Sequence, residues 1–130
     1  MTATMNQSHA AAYQRESILT ESPVGLVVKV YQGALTSLDR ARRAGRDDDA
    51  NGFRAHVGKA SALVAELLGA LDHERGGEIA EQLSALYEFV LTQLLRPTTA
   101  PDLAAVEHAE RLLSTLKEGF DAIHASGCDV

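Results

Sequence analysis

Apolar residues recur along this chain at helical spacing in four successive stretches, and the densest stretch lies near the N-terminus. Residues 22–41 read SPVGLVVKVYQGALTSLDRA. At about 100° per residue, the apolar positions of this stretch cover an arc of roughly 200° on a helical wheel. The apolar stripe of an ordinary surface helix is only about 100° wide. This surplus predicts that the first long helix buries one face in its own core and offers a second face to something else. The residues in the arc are Leu26, Val27, Val28, Val30, Tyr31, Ala34, Leu35, Leu38 and Ala41.

Capping residues set the expected bounds of this helix and of the next. Ser22 is a typical N-cap, and Pro23 suits the first turn because an N–H there would have no partner. Gly45 can end the helix, so we place it at about 22–44. The aspartates at 47–49 favour the start of a second helix, expected at about 48–72. Its four-three alternation is typical of an antiparallel bundle seam. That seam comprises Phe53, Val57, Ala60, Val64, Leu67 and Leu71.

Two further helices complete the pattern. Residues 72–77 interrupt the apolar spacing, so the third helix is expected at about 77–96, where Pro97 stops it. The fourth is expected at about 100–126, ending near Gly127. Four helices of about 20 residues with short connections predict an all-α fold, an antiparallel up-down-up-down four-helix bundle. The apolar positions of the last two helices include Ile79, Leu83, Leu86, Tyr87 and Val90, and then Val106, Leu113, Leu116, Phe120 and Ile123.

The first 22 residues have a different character. Residues 1–12 are small and polar, which predicts a flexible N-terminus. Tyr13, Ile18 and Leu19 then supply too little apolar surface for an independent helix, but enough for a short arm or helix that docks on the bundle. We therefore expect a single four-helix-bundle domain over residues 13–127.

Composition narrows the function classes. A chain of 130 residues is one domain by size, and its net charge of −6 argues against binding to nucleic acid. No stretch approaches the ~20 apolar residues of a membrane span, and the N-terminus lacks the pattern of a signal peptide. The single cysteine, Cys128, excludes an internal disulfide. These features predict a cytoplasmic protein with neither nucleic-acid binding nor membrane insertion.

Residues that could carry chemistry are sparse. A di-iron bundle needs Glu-x-x-His on two helices, and only residues 121–124 come near that motif, so no metal and no cofactor are expected. No phosphate-binding loop or nucleophile elbow is present, which argues against an enzyme. His56-Val-Gly-Lys59-Ala-Ser is similar to the signature of histidine phosphotransfer domains, which are also four-helix bundles. Because a solvated helix face explains both residues as well, phosphotransfer through His56 is kept as the alternative function.

Three stretches resemble the FliS family of flagellar secretion chaperones, which bind flagellin. They are YQRESILTESP at 13–23, LVVKVYQGA at 26–34 and LDHERGGEIAEQLSALYEF at 71–89. The resemblance covers about residues 10–125. The chain departs from the family pattern at Glu21, where a small residue is usual, at Gln82, where Asn is usual, and at Glu88-Phe89, where Asp-Tyr is usual. Arg96-Pro97 also replaces the usual Ala-Asn at the end of the third helix.

The resemblance implies a chaperone that covers the disordered C-terminal segment of flagellin, prevents premature polymerisation and aids delivery to the flagellar type III export gate. A segment that folds on binding needs a long apolar groove, and the spare face of the first helix offers one. The N-terminal arm could shield that groove in the free chaperone. The sequence leaves open which flagellin is bound, whether the free protein forms a homodimer, and whether the chain is instead a helical adaptor for another partner. The expected partner-binding residues are Tyr13, Ile18, Leu19, Pro23, Leu26, Val27, Val30, Tyr31, Leu83, Leu86, Tyr87 and Val90.

Overall fold

The computed structural model describes residues 23–126, which form four α-helices and no strand. Helix α1 spans Pro23–Arg46, α2 spans Ala50–Gly69, α3 spans His73–Leu95 and α4 spans Leu103–Ala125. The predicted all-α fold is confirmed for this part of the chain. The predicted arm with Tyr13, Ile18 and Leu19, the N-cap Ser22 and the end at Gly127 lie outside the described residues.

Helices that follow one another in the chain also pack against one another, and α4 packs back on α1. Between α1 and α4, Arg42 contacts Glu110 and Arg46 contacts Glu107, so residue numbers fall along α4 as they rise along α1. Helices α3 and α4 are also antiparallel, since Phe89 contacts His108 and Arg96 contacts Asp102. Helices that neighbour one another in a ring and run in alternating directions make an up-down-up-down bundle.

An aspartate caps the start of three of the helices. The carboxylates of Asp49, Asp72 and Asp102 each accept a hydrogen bond from a backbone N–H three residues on, at 2.9, 3.1 and 3.0 Å. Such a bond satisfies one of the N–H groups that the first helical turn leaves without a partner. The capping residue lies outside the helix, which explains why α2 and α4 begin slightly later than the sequence predicts.

Helix α1 ends in a left-handed turn at Asp48 rather than at Gly45. Asp48 has φ 60°, and the N–H of Asp49 donates to the carbonyl of Ala44 at 2.8 Å. A backbone hydrogen bond from Asp49 back to Ala44 is typical of a helix that ends in a residue with left-handed backbone, here Asp48. Glycine adopts that conformation most readily. Gly45 instead lies inside α1, where a Cβ would come within 2.7 Å of Cδ2 of Leu103. The glycine is therefore needed for close packing between α1 and α4.

The predicted interruption at 72–77 is a kink within α3. Gly77 has φ 51° and ψ −122°, a backbone conformation that residues with a Cβ rarely adopt. One capped turn precedes it, and a regular helix continues after it to Leu95. The kink directs the chain into the bundle between α2 and α4.

All four helices contribute to one hydrocarbon core. Most of the apolar positions that the sequence spacing predicts lie in this core or pack against it, but Ile79 and Ile123 are exposed. Helix α1 makes its most extensive contact with α2. The two polar residues buried with the core are Ser37 and Ser61. The largest fully buried side chains are Tyr31, Leu38, Val64, Tyr87, Val90, Val106 and Leu113.

Candidate partner-binding surface

The apolar side chains of α1 are better covered than its wide arc predicts. Leu26, Val27 and Val30 are half-buried, and Pro23 is exposed. None of the exposed large apolar side chains in residues 23–126 belongs to α1. The reason is that α2 and α4 pack along opposite sides of α1 and together cover most of its apolar arc. The expected spare face of α1 is thus reduced to a partly covered margin formed by Leu26, Val27 and Val30.

Tyr31 and Tyr87, both expected to contact a partner, lie inside the bundle. Their relative exposures are 0% and 2%, and their hydroxyl oxygens are 2.5 Å apart in a direct hydrogen bond. The ring of Tyr31 also packs on Phe120, with 5.5 Å between centroids. Burial raises the pKa of both phenols, so both stay protonated. A partner could reach these side chains only if the helices moved, and their role in binding stays a prediction.

The uncovered apolar surface lies mainly on α3. Leu83 and Leu86 are half-buried there, whereas Val90 is buried. Sequence reasoning assigned Ile79 and Ile123 to the core and noted Phe89 only as a departure from the family pattern. In the sequence, Leu86, Tyr87, Val90 and Leu91 spread beyond a narrow seam and give α3 a milder version of the wide apolar arc of α1. That arc was the signal that could have found this surface. The exposed large apolar side chains of the described residues are Ile79 at 67%, Phe89 at 44%, Leu95 at 60% and Ile123 at 41%.

Most of these residues follow the seam between α3 and α4. The ring of Phe89 meets the ring of His108 edge-on at a centroid distance of 5.7 Å, which identifies the side of α3 that faces α4. The α3–α4 contact is the sparsest of the four contacts between adjacent helices, so apolar residues along it stay partly open. A helical wheel at about 100° per residue places several other large apolar residues on these two facing sides of α3 and α4. We call this set of residues the α3–α4 strip. It comprises Ile79, Leu83, Leu86 and Phe89 of α3 with Leu112, Leu116 and Ile123 of α4.

The neighbouring seam, between α1 and α4, carries ion pairs near the end of α1. Nε of Arg42 lies 3.0 Å from Glu110 and Nη2 of Arg46 lies 3.3 Å from Glu107, and Arg42 also pairs with Asp39. The pairing with Glu110 raises the pKa of the Arg42 guanidinium further above its usual value. Partly exposed pairs of this kind contribute little to stability, but they place charged groups along this end of the seam.

Other kinds of site find no support in the described residues. Within 23–126, no three His, Cys, Asp or Glu side chains come together as a metal would require. His56 is half-buried on α2 and Lys59 is exposed, as the solvated-face interpretation of that motif predicts. None of the helices between Pro23 and Ala125 has the length and apolar character needed to cross a bilayer.

A four-helix bundle with a strip of uncovered apolar side chains belongs to the class of helical protein-binding modules. The chain is, more specifically, a member of the FliS family, since the family described as flagellar protein FliS matches residues 5–127. It is 34% identical over 115 residues to flagellar secretion chaperone FliSB of Pseudomonas aeruginosa, covering 85% of this chain and 91% of that one. It is 32% identical over 123 residues to flagellar secretion chaperone FliS of Salmonella typhimurium, covering 94% and 91%. The resemblance found in the sequence is thereby confirmed.

Proposed function

We propose that this protein is a cytoplasmic export chaperone that binds the C-terminal segment of flagellin. By covering that segment it prevents premature polymerisation, and it aids delivery of the complex to the flagellar type III export gate. It acts by binding and catalyses no reaction. Membership of the FliS family and the similarity to two flagellar secretion chaperones support this proposal. Phosphotransfer through His56, the alternative, gains no support from these relatives.

The α3–α4 strip is the observation that carries the proposal. A disordered segment that becomes an amphipathic helix presents apolar side chains about three and four residues apart, and it needs a groove with matching rows. On α3 the strip has its residues at 79, 83, 86 and 89, which is that spacing. A client helix lying along the seam would cover both rows of the strip, and each Å² of apolar surface removed from water contributes about 25 cal/mol.

The N-terminal arm has a regulatory role in this proposal. Tyr13, Ile18 and Leu19 are the large apolar residues between positions 13 and 20. Leu26, Val27 and Val30 form the partly covered margin near the start of α1. The arm shields apolar surface in the free chaperone and moves when the client binds. Deleting residues 1–19 should then raise flagellin affinity and promote self-association, as measured by calorimetry and light scattering. Unchanged affinity and an unchanged oligomeric state would contradict shielding.

Calorimetric titration with the C-terminal segment of flagellin tests the strip. Phe89→Ala should weaken binding by roughly 1–3 kcal/mol because Phe89 is the exposed aromatic side chain of the strip. Val30→Ala serves as the comparison, since it removes apolar atoms from the α1 margin and leaves the strip intact. Circular dichroism confirms that each variant is folded. Native affinity of Phe89→Ala beside a large loss in Val30→Ala would move the site to α1, and absence of binding by the wild type would refute the chaperone function itself.

A further inference from the structure

The seam between α3 and α4 is closed at the level of Phe89. The ring of Phe89 lies edge-on against His108 of α4, and the crevice beneath these two rings has no room for a water molecule. Leu83 and Leu86 are half-buried along the same seam. A helix bound in a hydrophobic groove inserts its anchoring apolar side chains into that groove. Such insertion between α3 and α4 requires the two helices to separate.

Helix α3 is the helix of the bundle that can move most readily. Its contact with α4 is the sparsest between adjacent helices, and its contact with α2 is sparser than either contact that α1 makes. The long regular part of α3 begins at Gly77, where φ of 51° and ψ of −122° interrupt the helical backbone. Glycine lacks the Cβ that restricts rotation about these two angles, and hinges in proteins often use small residues. Gly77 is therefore suited to be the hinge about which the rest of α3 tilts.

A hydrogen bond between two buried hydroxyls joins α3 to the helix across the core. The hydroxyl oxygens of Tyr31 on α1 and Tyr87 on α3 are 2.5 Å apart, although α1 and α3 are diagonal rather than adjacent in the ring of helices. The ring of Tyr31 also packs on Phe120 of α4. Tyr87 is about 15 Å along the helix from Gly77. A tilt of about 10° at Gly77, directed away from the core, would move Tyr87 by about 2.6 Å and break the hydrogen bond.

We propose that the hydrogen bond between Tyr31 and Tyr87 is a latch that holds the α3–α4 seam closed, and that α3 tilts at Gly77 to admit the client. The inference rests on the proposed function and gives two buried tyrosines control over binding without any contact to the client. A neutral hydrogen bond of ordinary strength changes an equilibrium by about fivefold. Without the latch the open form is therefore about fivefold more populated. The apparent affinity for the client rises by the same factor, because only the open form accepts the inserted side chains.

The double variant Tyr31→Phe with Tyr87→Phe tests the latch, because it removes both hydroxyls and keeps both rings. Tyr87→Phe alone also breaks the hydrogen bond and should act in the same direction, so the test stands even if the double variant folds poorly. Ser37→Ala is the matched control, since it removes another buried hydroxyl of α1. NMR relaxation dispersion of the backbone amides measures the open form in the free protein. Calorimetry with the C-terminal segment of flagellin measures the affinity.

We expect the amides of α3 beyond Gly77 to show exchange, with the open form about fivefold more populated and flagellin bound about fivefold more tightly in the double variant. Ser37→Ala should stay within about twofold of the wild type in both measurements.

Three results would overturn the latch. Weaker flagellin binding by the double variant would assign the two hydroxyls to direct contact with the client. Unchanged affinity, or an open form no more populated than in the wild type, would show that the hydrogen bond does not hold the seam closed, and would leave the chaperone function standing. Absence of binding by the wild type and by every variant would instead refute the chaperone function, whereas the dispersion measurement on the free protein would still decide whether the hydroxyls restrain α3.

Discussion

Two buried tyrosines joined hydroxyl to hydroxyl should make the stability of the bundle fall steeply at alkaline pH. Burial raises the pKa of Tyr31 and of Tyr87 in the folded state, whereas an unfolded tyrosine titrates near pH 10. A group whose pKa is raised by folding contributes stability that is fully present below the unfolded pKa and is lost as pH rises above it. Each phenol that stays protonated in the folded protein therefore removes up to about 1.4 kcal/mol of the free energy of unfolding per pH unit above 10, and the pair removes up to about 2.7.

Three variants separate the stability contributed by the hydrogen bond between the two hydroxyls from the effect of burying those hydroxyls. At pH 7, Tyr31→Phe and Tyr87→Phe each leave one buried hydroxyl without its partner, which should cost about 1–3 kcal/mol of stability. The double variant removes both hydroxyls and should be nearly as stable as the wild type. Above pH 10 the alkaline slope should fall by about 1.4 kcal/mol per pH unit for each tyrosine removed. Urea unfolding followed by circular dichroism between pH 7 and about 11 measures both effects, and groups common to all variants cancel in the differences.

Two results would refute this reasoning. Equal alkaline slopes for the wild type and the double variant would mean that the two phenols titrate alike in the folded and unfolded protein. A double variant whose loss at pH 7 equals the sum of the two single losses would mean that the hydroxyls do not interact.

Two further predictions concern the end of α1, and both are checked by urea unfolding. Asp48→Gly should stabilise the protein by up to about 1 kcal/mol, because glycine adopts the left-handed conformation at φ 60° without steric cost. Asp47→Gly is the control, and equal effects of the two changes on the free energy of unfolding would contradict this explanation. Gly119→Ala is the control for Gly45→Ala, because Ala gains the same helix propensity at that open position. Gly45→Ala should be less stable than the control by about 1–3 kcal/mol, because its Cβ would lie 2.7 Å from Cδ2 of Leu103 and 3.1 Å from Cδ1 of Phe53. Equal effects of the two changes would show that Leu103 and Phe53 move aside without penalty.

Much of the fold follows from local patterns. The four apolar periodicities and the aspartates at 47–49 predict helices that the structure contains, whereas the interruption at 72–77 lies within α3 and not before it. The end of α1 was assigned to Gly45 because glycine is the usual residue for a left-handed cap, yet Asp48 adopts that conformation. Close packing of α1 on α4 is a tertiary demand, and no local pattern reveals it.

The candidate site was harder to predict, for a physical reason. A helical wheel gives the width of an apolar arc, but it does not say how closely the neighbouring helices approach. The wide arc of α1 is mostly covered because α2 and α4 lie along both of its sides, whereas the narrower arc of α3 stays open because α4 contacts it sparsely.

Backbone hydrogen exchange of the protein, alone and saturated with the C-terminal segment of flagellin, tests the central claim most directly. The account predicts added protection in α3 from Ile79 to Phe89 and in α4 from Leu112 to Ile123, with little change along the α1–α4 ion pairs. Protection confined to α1, or no change anywhere at flagellin concentrations that should saturate the site, would contradict it.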